Sequence, residues 1–189
     1  TRRRPERWTR LGDVMGQGLV GRTLGQLGMG SIGAEVCRIA ASLGMRFVAH
    51  DPDVDPALAA ELGVDLVGLE ELFRRSDFLS VSVPSSAATR HLVNAERLAL
   101  MKPTAYLINT ARGVVVDQRA LYRPLVDGRI AGAGLDVFAV EPAPADEPLS
   151  ALDDVVVTPH ALGWTDQGFA GIGAADVAAV RAVVHGRTP

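Results

Sequence analysis

The sequence predicts an α/β fold in which a doubly wound parallel sheet is covered by helices on both faces. Short apolar blocks alternate with segments of helical periodicity along most of the 189 residues, and this alternation is typical of such a sheet. A glycine-rich turn, Gly28-Met-Gly-Ser-Ile-Gly33, joins the first strand to the first helix. Several later blocks end directly in a polar residue. The length suits one domain with a sizeable core.

The first half of the chain is predicted to hold two strands separated by a helix. Strands are predicted at Thr23–Leu27 and Arg46–His50, and helices at residues 34–43 and 57–62. Gly44 closes the first helix, because a glycine just past a helix end adopts the left-handed conformation easily. The only cysteine, Cys37, lies in the apolar stripe of this helix and is expected in the core.

The second half repeats the scheme. Strands are predicted at residues 78–83, 105–109, 130–135 and 155–158, and helices at residues 95–101, from Asp117 to about Val126, and at residues 165–185. Asn94 and Asp117 are the expected N-caps. Pro124 predicts an irregular end for the second of these helices.

Composition and charge narrow the classes of function. The net charge of −3 argues against nucleic acid as the main partner, and the arginines near the start are expected to be solvated or to contact another subunit. No uninterrupted apolar run approaches the ~20 residues of a membrane span. A single cysteine excludes an internal disulfide and suits a reducing, cytoplasmic location. No signal peptide and no metal site are predicted.

The glycine turn predicts a dinucleotide site. Gly28 permits the tight turn, Gly30 lets the backbone approach a pyrophosphate, and Gly33 allows close packing of helix on strand. Ser31 and Ile32 complete the turn, and the pyrophosphate would lie on the free N–H groups of the helix N-terminus. These features outweigh the structural alternative of an ordinary turn.

Asp51 ends the next strand and is expected to bind the adenosine ribose hydroxyls. Pro52 and Asp53 follow it, with no arginine to receive a 2′-phosphate. The sequence therefore predicts NAD as the cofactor in preference to NADP. His50 is expected to be structural.

Four further polar residues follow predicted strands and are expected at one edge of the sheet. Arg112, Asp136, Glu141 and His160 lie at or just beyond strand ends, and ligands of open α/β sheets bind outside the carboxyl ends of the strands. Arginine holds carboxylates in bidentate fashion, and a histidine beside a carboxylate exchanges protons. Trp164 is expected either to wall the pocket or simply to pack.

These motifs resemble one family, the NAD-dependent D-isomer-specific 2-hydroxyacid dehydrogenases, which include glyoxylate/hydroxypyruvate reductases and phosphoglycerate dehydrogenases. The resemblance extends from residues 19–25 (Leu-Val-Gly-Arg-Thr-Leu-Gly) through residues 98–113, which end in Ile-Asn-Thr-Ala-Arg-Gly, to Thr-Pro-His at residues 158–160. It implies a Rossmann-like NAD(P)-binding domain and an oxidoreductase that acts on a small 2-hydroxy or 2-oxo acid.

The resemblance also implies roles for individual residues. Arg112 would bind the substrate carboxylate and keto oxygen, and His160 would exchange the proton while Glu141 favours its protonated form. The expected cofactor-binding set is Gly28, Gly30, Ser31, Ile32, Gly33, Asp51, Val83, Pro84, Thr89, Thr110, Ala111, Asp136 and His160.

The sequence departs from the family pattern in three ways. Gln26 replaces an apolar residue of the first strand, and a buried amide needs hydrogen-bond partners. Leu162 and Trp164 replace small residues after the histidine. The chain also resembles only the cofactor domain, so residues 1–189 are predicted to form a single dinucleotide-binding domain that lacks the family's substrate domain.

The resemblance leaves several alternatives open. A homodimer is expected, with residues 1–20 as the dimerisation arm. Some relatives act as corepressors, so an NAD(H)-responsive binding module without turnover stays an alternative to the enzyme. A formate dehydrogenase-like enzyme is disfavoured because that branch pairs its histidine with glutamine, whereas Glu141 stands here. A phosphite-oxidising relative is still open.

Overall fold

The computed structural model describes residues 16–188, so most of the predicted arm, residues 1–15, lies outside the described residues. The described chain forms one seven-stranded parallel sheet in the order β3-β2-β1-β4-β5-β6-β7. Its strands are β1 (Thr23–Leu27), β2 (Arg46–His50), β3 (Val64–Leu66), β4 (Phe78–Val81), β5 (Tyr106–Asn109), β6 (Gly132–Leu135) and β7 (Val155–Val157). The predicted doubly wound sheet is confirmed.

Six α-helices connect or follow these strands within residues 16–188. They are α1 (Ser31–Ala41), α2 (Pro56–Glu61), α3 (Leu69–Arg75), α4 (Ala95–Leu98), α5 (Gln118–Val126) and α6 (Asp166–Val184). The predicted caps are confirmed, since the Asn94 side chain accepts from the Arg97 N–H and the Asp117 side chain accepts from the N–H groups of Arg119 and Ala120.

The bounds differ from the predicted ones in places. Helix α1 begins earlier, at Ser31, because a carbonyl of the glycine turn already accepts a helical hydrogen bond, from the Ala34 N–H to the Gly30 oxygen at 2.9 Å. Helix α4 ends at Leu98 and α5 passes through Pro124 to Val126 without interruption. The short strand β3 and the helix α3 were not predicted, because neither has enough length to show a clear period.

Two apolar cores lie on the two faces of the sheet. The larger core packs α3, α4 and α5 against the central strands and includes Phe73, Leu79 and Leu107. The smaller core lies under α1 and α2 and contains Cys37, which is 1% exposed as expected. Burial raises the pKa of the Cys37 thiol to about 11, so the thiol stays protonated and inert.

Helix α6 stands apart, because none of its 19 residues is buried. Among the described residues it is long and apolar enough to cross a membrane by length and composition, with a mean hydropathy of 1.2. The predicted lack of an uninterrupted apolar run of ~20 residues is not contradicted, because Asp176 and Arg181 interrupt this helix. One helix of this kind is weak evidence of a membrane protein.

Candidate active site

The strand order places the glycine turn where the sheet changes direction. From β1 the chain continues to β2 on one side, whereas β4 pairs with β1 on the other. Ligands of open α/β sheets bind at such a reversal, outside the carboxyl ends of the strands. The turn after β1 therefore lies beside the segments that leave β4 and β5, where six of the predicted site residues follow.

The glycine turn has the shape of a dinucleotide cradle. Gly28 has a φ of +93°, and a Cβ there would lie 2.9 Å from the Val83 side chain. A Cβ on Gly33 would lie only 2.2 Å from the Gly28 carbonyl oxygen. Gly30 faces open space and forms the N-cap of α1 without a side-chain cap. The first N–H groups of α1 are thus left for an anion, and the residues present fit a dinucleotide diphosphate.

Asp51 fixes the turn to the end of β2. Its Oδ2 accepts the Met29 N–H at 2.8 Å, and its Oδ1 accepts the Asp53 N–H at 2.9 Å. Each carboxylate oxygen keeps a further acceptor site, which can receive a ribose hydroxyl. His50, as expected, has a structural contact, since its Nδ1 lies 3.0 Å from the Val67 carbonyl oxygen.

A cavity of about 480 Å³ opens between the turn and the ends of β4 and β5. Its lining contains six of the predicted site residues, namely Ile32, Val83, Pro84, Thr110, Ala111 and Arg112. Thr89 does not line this cavity. Its hydroxyl donates to the Pro84 carbonyl at 2.6 Å and accepts from the Ser86 N–H, so it shapes the loop that carries Pro84.

The loop after β5 is held by Asn109. Its Oδ1 accepts the Ala111 N–H and its Nδ2 donates to the Arg112 carbonyl, both at 3.1 Å. The Arg112 side chain is exposed and donates to the Ala111 carbonyl at 2.6 Å. Among residues 16–188 its guanidinium has no carboxylate partner within salt-bridge distance, so it is available to an acidic ligand.

His160 and Glu141 form the predicted pair. The Nδ1 of His160 lies 2.7 Å from Glu141 Oε2, and Glu141 Oε1 accepts the Phe138 N–H at 2.8 Å. The hydrogen bond from His160 lowers the pKa of Glu141, and the Phe138 N–H and the charges of His160 and Arg112 lower it further against the effect of burial. Glu141 is therefore ionised throughout the neutral range.

Asp136 holds the loop that carries the histidine. Its Oδ1 accepts the Thr158 hydroxyl at 2.6 Å and the Ala161 N–H at 3.0 Å, and its Oδ2 accepts the Leu162 N–H. Its backbone carbonyl accepts the His160 N–H at 2.8 Å. Burial alone would raise the pKa of Asp136, but these hydrogen bonds outweigh it and the pKa is lowered. His160 is held with a φ of 54°.

A second cavity, of about 780 Å³, lies on the histidine side of the site. Asp136, Glu141, His160 and Trp164 line it, so of the two expectations for Trp164 the pocket wall is the better description. The Trp164 side chain is 71% exposed, with Phe169 as its ring neighbour. Leu162 is also exposed. Arg112 lines the other cavity, yet its charge reaches Glu141.

Three contacts at the site were not predicted from the sequence. Thr158 was assigned to a strand, but its hydroxyl donates to Asp136. Gln118 accepts the Ala139 N–H at 2.9 Å and so links α5 to the turn before Glu141. Ser82 lines the smaller cavity and accepts from Gln26. Nothing in the local sequence distinguishes these residues from ordinary surface polar ones. No group of metal-ligating side chains occurs within residues 16–188.

The chain is similar to known dehydrogenases along most of its length. It is 51% identical over 148 residues to a glyoxylate reductase of Korarchaeum cryptofilum, which covers 78% of this chain and 45% of the relative. A hydroxypyruvate reductase of Thermotoga maritima is 46% identical over 150 residues, with 78% and 48% covered. The chain thus spans about half the length of the curated relatives it matches.

Solved structures agree with this similarity. D-lactate dehydrogenase from Aquifex aeolicus, in complex with NAD and lactic acid, matches 94% of this chain and 57% of its own, with a TM-score of 0.83 and 36% identity. The sequence model of the family 'D-isomer specific 2-hydroxyacid dehydrogenase, NAD binding domain' matches residues 1–161. The chain therefore belongs to the D-isomer specific 2-hydroxyacid dehydrogenase family, of which it carries the NAD-binding domain.

Proposed function

We propose that this chain is the cofactor-binding part of an oxidoreductase that interconverts a small 2-oxo acid and its D-2-hydroxy acid with NAD(H). The observation that carries the proposal is the 2.7 Å contact between His160 and Glu141, which lies at the same edge of the sheet as the glycine turn. The family supports the same activity. Because the relatives are about twice as long, the activity of the whole protein is part of the proposal.

NAD would be held by the turn Gly28–Gly33, with the diphosphate on the N-terminus of α1 and the adenosine ribose on Asp51. When bound, the reduced nicotinamide supplies a hydride to the keto carbon. Val83, Pro84 and Thr110–Arg112 line the cavity that continues from the turn, and they would form the walls around the reacting end. We assign to Asp136 the positioning of both the reacting end of the cofactor and the loop that carries His160.

His160 is assigned the proton transfer. Glu141 holds its Nδ1, so the Nε2 atom is the one that faces a substrate oxygen. In reduction, Nε2 donates a proton to the keto oxygen as the hydride reaches the carbon, and in oxidation the neutral ring accepts that proton back. The ionised Glu141 stabilises the imidazolium form and fixes the orientation of the ring.

Arg112 is assigned the substrate carboxylate. A guanidinium binds a carboxylate through two parallel hydrogen bonds, and this one is exposed beside the cleft. Its binding would orient the keto carbon toward the cofactor. We also propose a homodimer, based on the resemblance of residues 1–20 to the family's arm.

The test is NADH fluorescence with the purified chain, followed by addition of glyoxylate, hydroxypyruvate or pyruvate. Fluorescence that decays after one of these acids is added supports the enzyme and identifies its substrate class. The His160→Ala variant should bind NADH and lose the decay, whereas His185→Ala, at the far end of α6, serves as the matched control. NADH-dependent assembly without decay would instead support a binding module.

A further inference from the structure

Gln26 is a fully buried amide directly beneath the glycine turn. It is 0% exposed, and its Nε2 donates to the Gly28 carbonyl at 3.1 Å and to the Ser82 hydroxyl oxygen at 2.7 Å. It therefore joins the turn after β1 to the first residue beyond β4. These two segments are direct neighbours, since the Ser82 N–H donates to the Leu27 carbonyl at 2.8 Å.

The orientation of this amide is forced. The Gly28 carbonyl is an acceptor only, so the NH₂ group of Gln26 must face it. The Oε1 atom is left buried without a hydrogen-bond partner among residues 16–188. An orphaned buried acceptor costs free energy, and turning the amide over would set its oxygen against the Gly28 oxygen, which is worse.

The forced orientation decides what the Ser82 hydroxyl can do. Both Nε2 protons of Gln26 are used, one on Gly28 and one on Ser82, so the Ser82 oxygen is an acceptor in this contact. The hydroxyl proton of Ser82 is left over, because Gln26 is the only hydrogen-bond partner of this hydroxyl group within the described residues. Ser82 lines the 480 Å³ cavity, where the proton can find an acceptor.

We propose that Ser82 donates a hydrogen bond to the diphosphate–ribose segment of the bound dinucleotide, and that Gln26 is the positioning residue that directs this proton outward. The inference rests on the NAD site proposed above. Ser82 lies on the β4 side of the turn, with Val83, Pro84 and Arg112, whereas Asp51 marks the adenosine side at β2. The contact therefore belongs to the nicotinamide half of the cofactor, with its phosphate and ribose oxygens.

The experiment measures dissociation constants by NADH fluorescence, and by competition for ADP-ribose and AMP. Ser82→Ala should raise the constants for NADH and ADP-ribose about tenfold, which equals ~1.4 kcal/mol, and leave that for AMP within about twofold. Ser82→Thr keeps the hydroxyl and should stay near the unmutated value. Equal losses for AMP, or no loss for NADH, would overturn the proposal.

Gln26→Met tests the positioning role, because methionine fills a similar volume without donating. It should weaken NADH binding, and adding Ser82→Ala to it should weaken binding no further. A purely structural glutamine would lower the melting temperature and leave the Ser82→Ala effect intact. If Gln26→Met does not fold, the comparison of Ser82→Ala with Ser82→Thr still tests whether the Ser82 hydroxyl donates to the cofactor. These binding measurements do not require turnover. A chain that shows the Ser82 effect but no dehydrogenase activity would refute only the proposed reaction. A chain that binds no NADH would refute this inference.

Discussion

Gly113 lies so close to the backbone of Phe138 that a Cβ on it would be 1.9 Å from the Phe138 carbonyl carbon. This contact joins the loop that carries Arg112 to the turn that carries Glu141. The two segments follow different strands, β5 and β6, and the absence of a side chain at Gly113 lets them touch. The distance between Arg112 and the His160–Glu141 pair, to which we assign substrate binding and proton transfer, therefore depends on a glycine that has no side chain.

Gly113→Ala should displace the turn at Phe138, with a cost of about 1–3 kcal/mol from overpacking. We expect a lower unfolding free energy and a large loss of activity, because Glu141 moves relative to Arg112. The matched control is Gly134→Ala in β6, whose Cβ would meet nothing nearer than 4.0 Å. Similar losses in both variants would show that the close approach is not the cause.

Glu141→Gln should lower the rate of 2-oxo acid reduction on the order of tenfold near neutral pH. The amide keeps the contact with His160 but lacks the charge that favours imidazolium. We therefore expect the loss to be largest near neutral pH, where Glu141 is ionised. The lowered pKa of Glu141 means that its charge is lost only in acid, so the two profiles should converge there. A difference in rate that stays the same from neutral pH into acid would count against the pair.

Arg112→Ala should raise the KM for the 2-oxo acid by about a hundredfold, with NADH affinity little changed, because the two hydrogen bonds to the carboxylate are lost. Arg112→Lys is the informative control, since it keeps the charge and loses the fork. The KM of Arg112→Lys should fall between that of the unmutated protein and that of Arg112→Ala. A parallel loss of NADH affinity in Arg112→Ala would assign this arginine to the cofactor instead.

Asp136→Asn should destabilise the fold by about 1–3 kcal/mol near neutral pH, because the carboxylate accepts three hydrogen bonds in a buried site. The folded pKa of Asp136 is lowered, so its stabilisation is fully present above the ordinary value of ~3.9 and is lost as pH falls through the lower folded value. Urea unfolding of both proteins should thus converge in acid. Asp146→Asn, in an exposed loop, is the control, and a constant difference at all pH values would contradict the assignment.

Asp51 and Asp53 should make NADH bind more tightly than NADPH, by roughly a hundredfold, because a 2′-phosphate would meet negative charge. Asp51→Asn keeps an oxygen for the Met29 N–H and removes one charge. The ratio of the two dissociation constants should shrink in this variant. An unchanged ratio in the same fluorescence titration would place the 2′-hydroxyl away from Asp51.

The sequence predicted the parts of this molecule whose signals are local. The bounds of β1 and β2, the caps at Asn94 and Asp117, and the turn Gly28–Gly33 each follow from a few adjacent residues. The pairing of His160 with Glu141 followed from the family resemblance, and the structure places these side chains together.

Contacts between distant segments escaped prediction for a physical reason. The Gly113–Phe138 approach, the Gln118–Ala139 hydrogen bond and the partnership of Gln26 with Ser82 depend on how strands line up across the sheet. Which strands are neighbours is determined by the tertiary packing of the whole domain. Gln26 was recognised as unusual, but its partners could be identified only once β1 and β4 were seen to be neighbours.

Because α6 is exposed, its backbone amides should be less protected against hydrogen exchange than those of the central strands. With no buried residue, the helix gains little from tertiary packing, and the glycines at 168, 171 and 173 each cost it about 1 kcal/mol. Its amides should exchange through local fraying, whereas those of β1, β4 and β5 should wait for global unfolding. Arg112 follows β5 and lies on the slow side of that divide. The loop of His160 precedes α6, but its backbone is bonded to Asp136 at the end of β6, so this loop should keep its place when the helix melts.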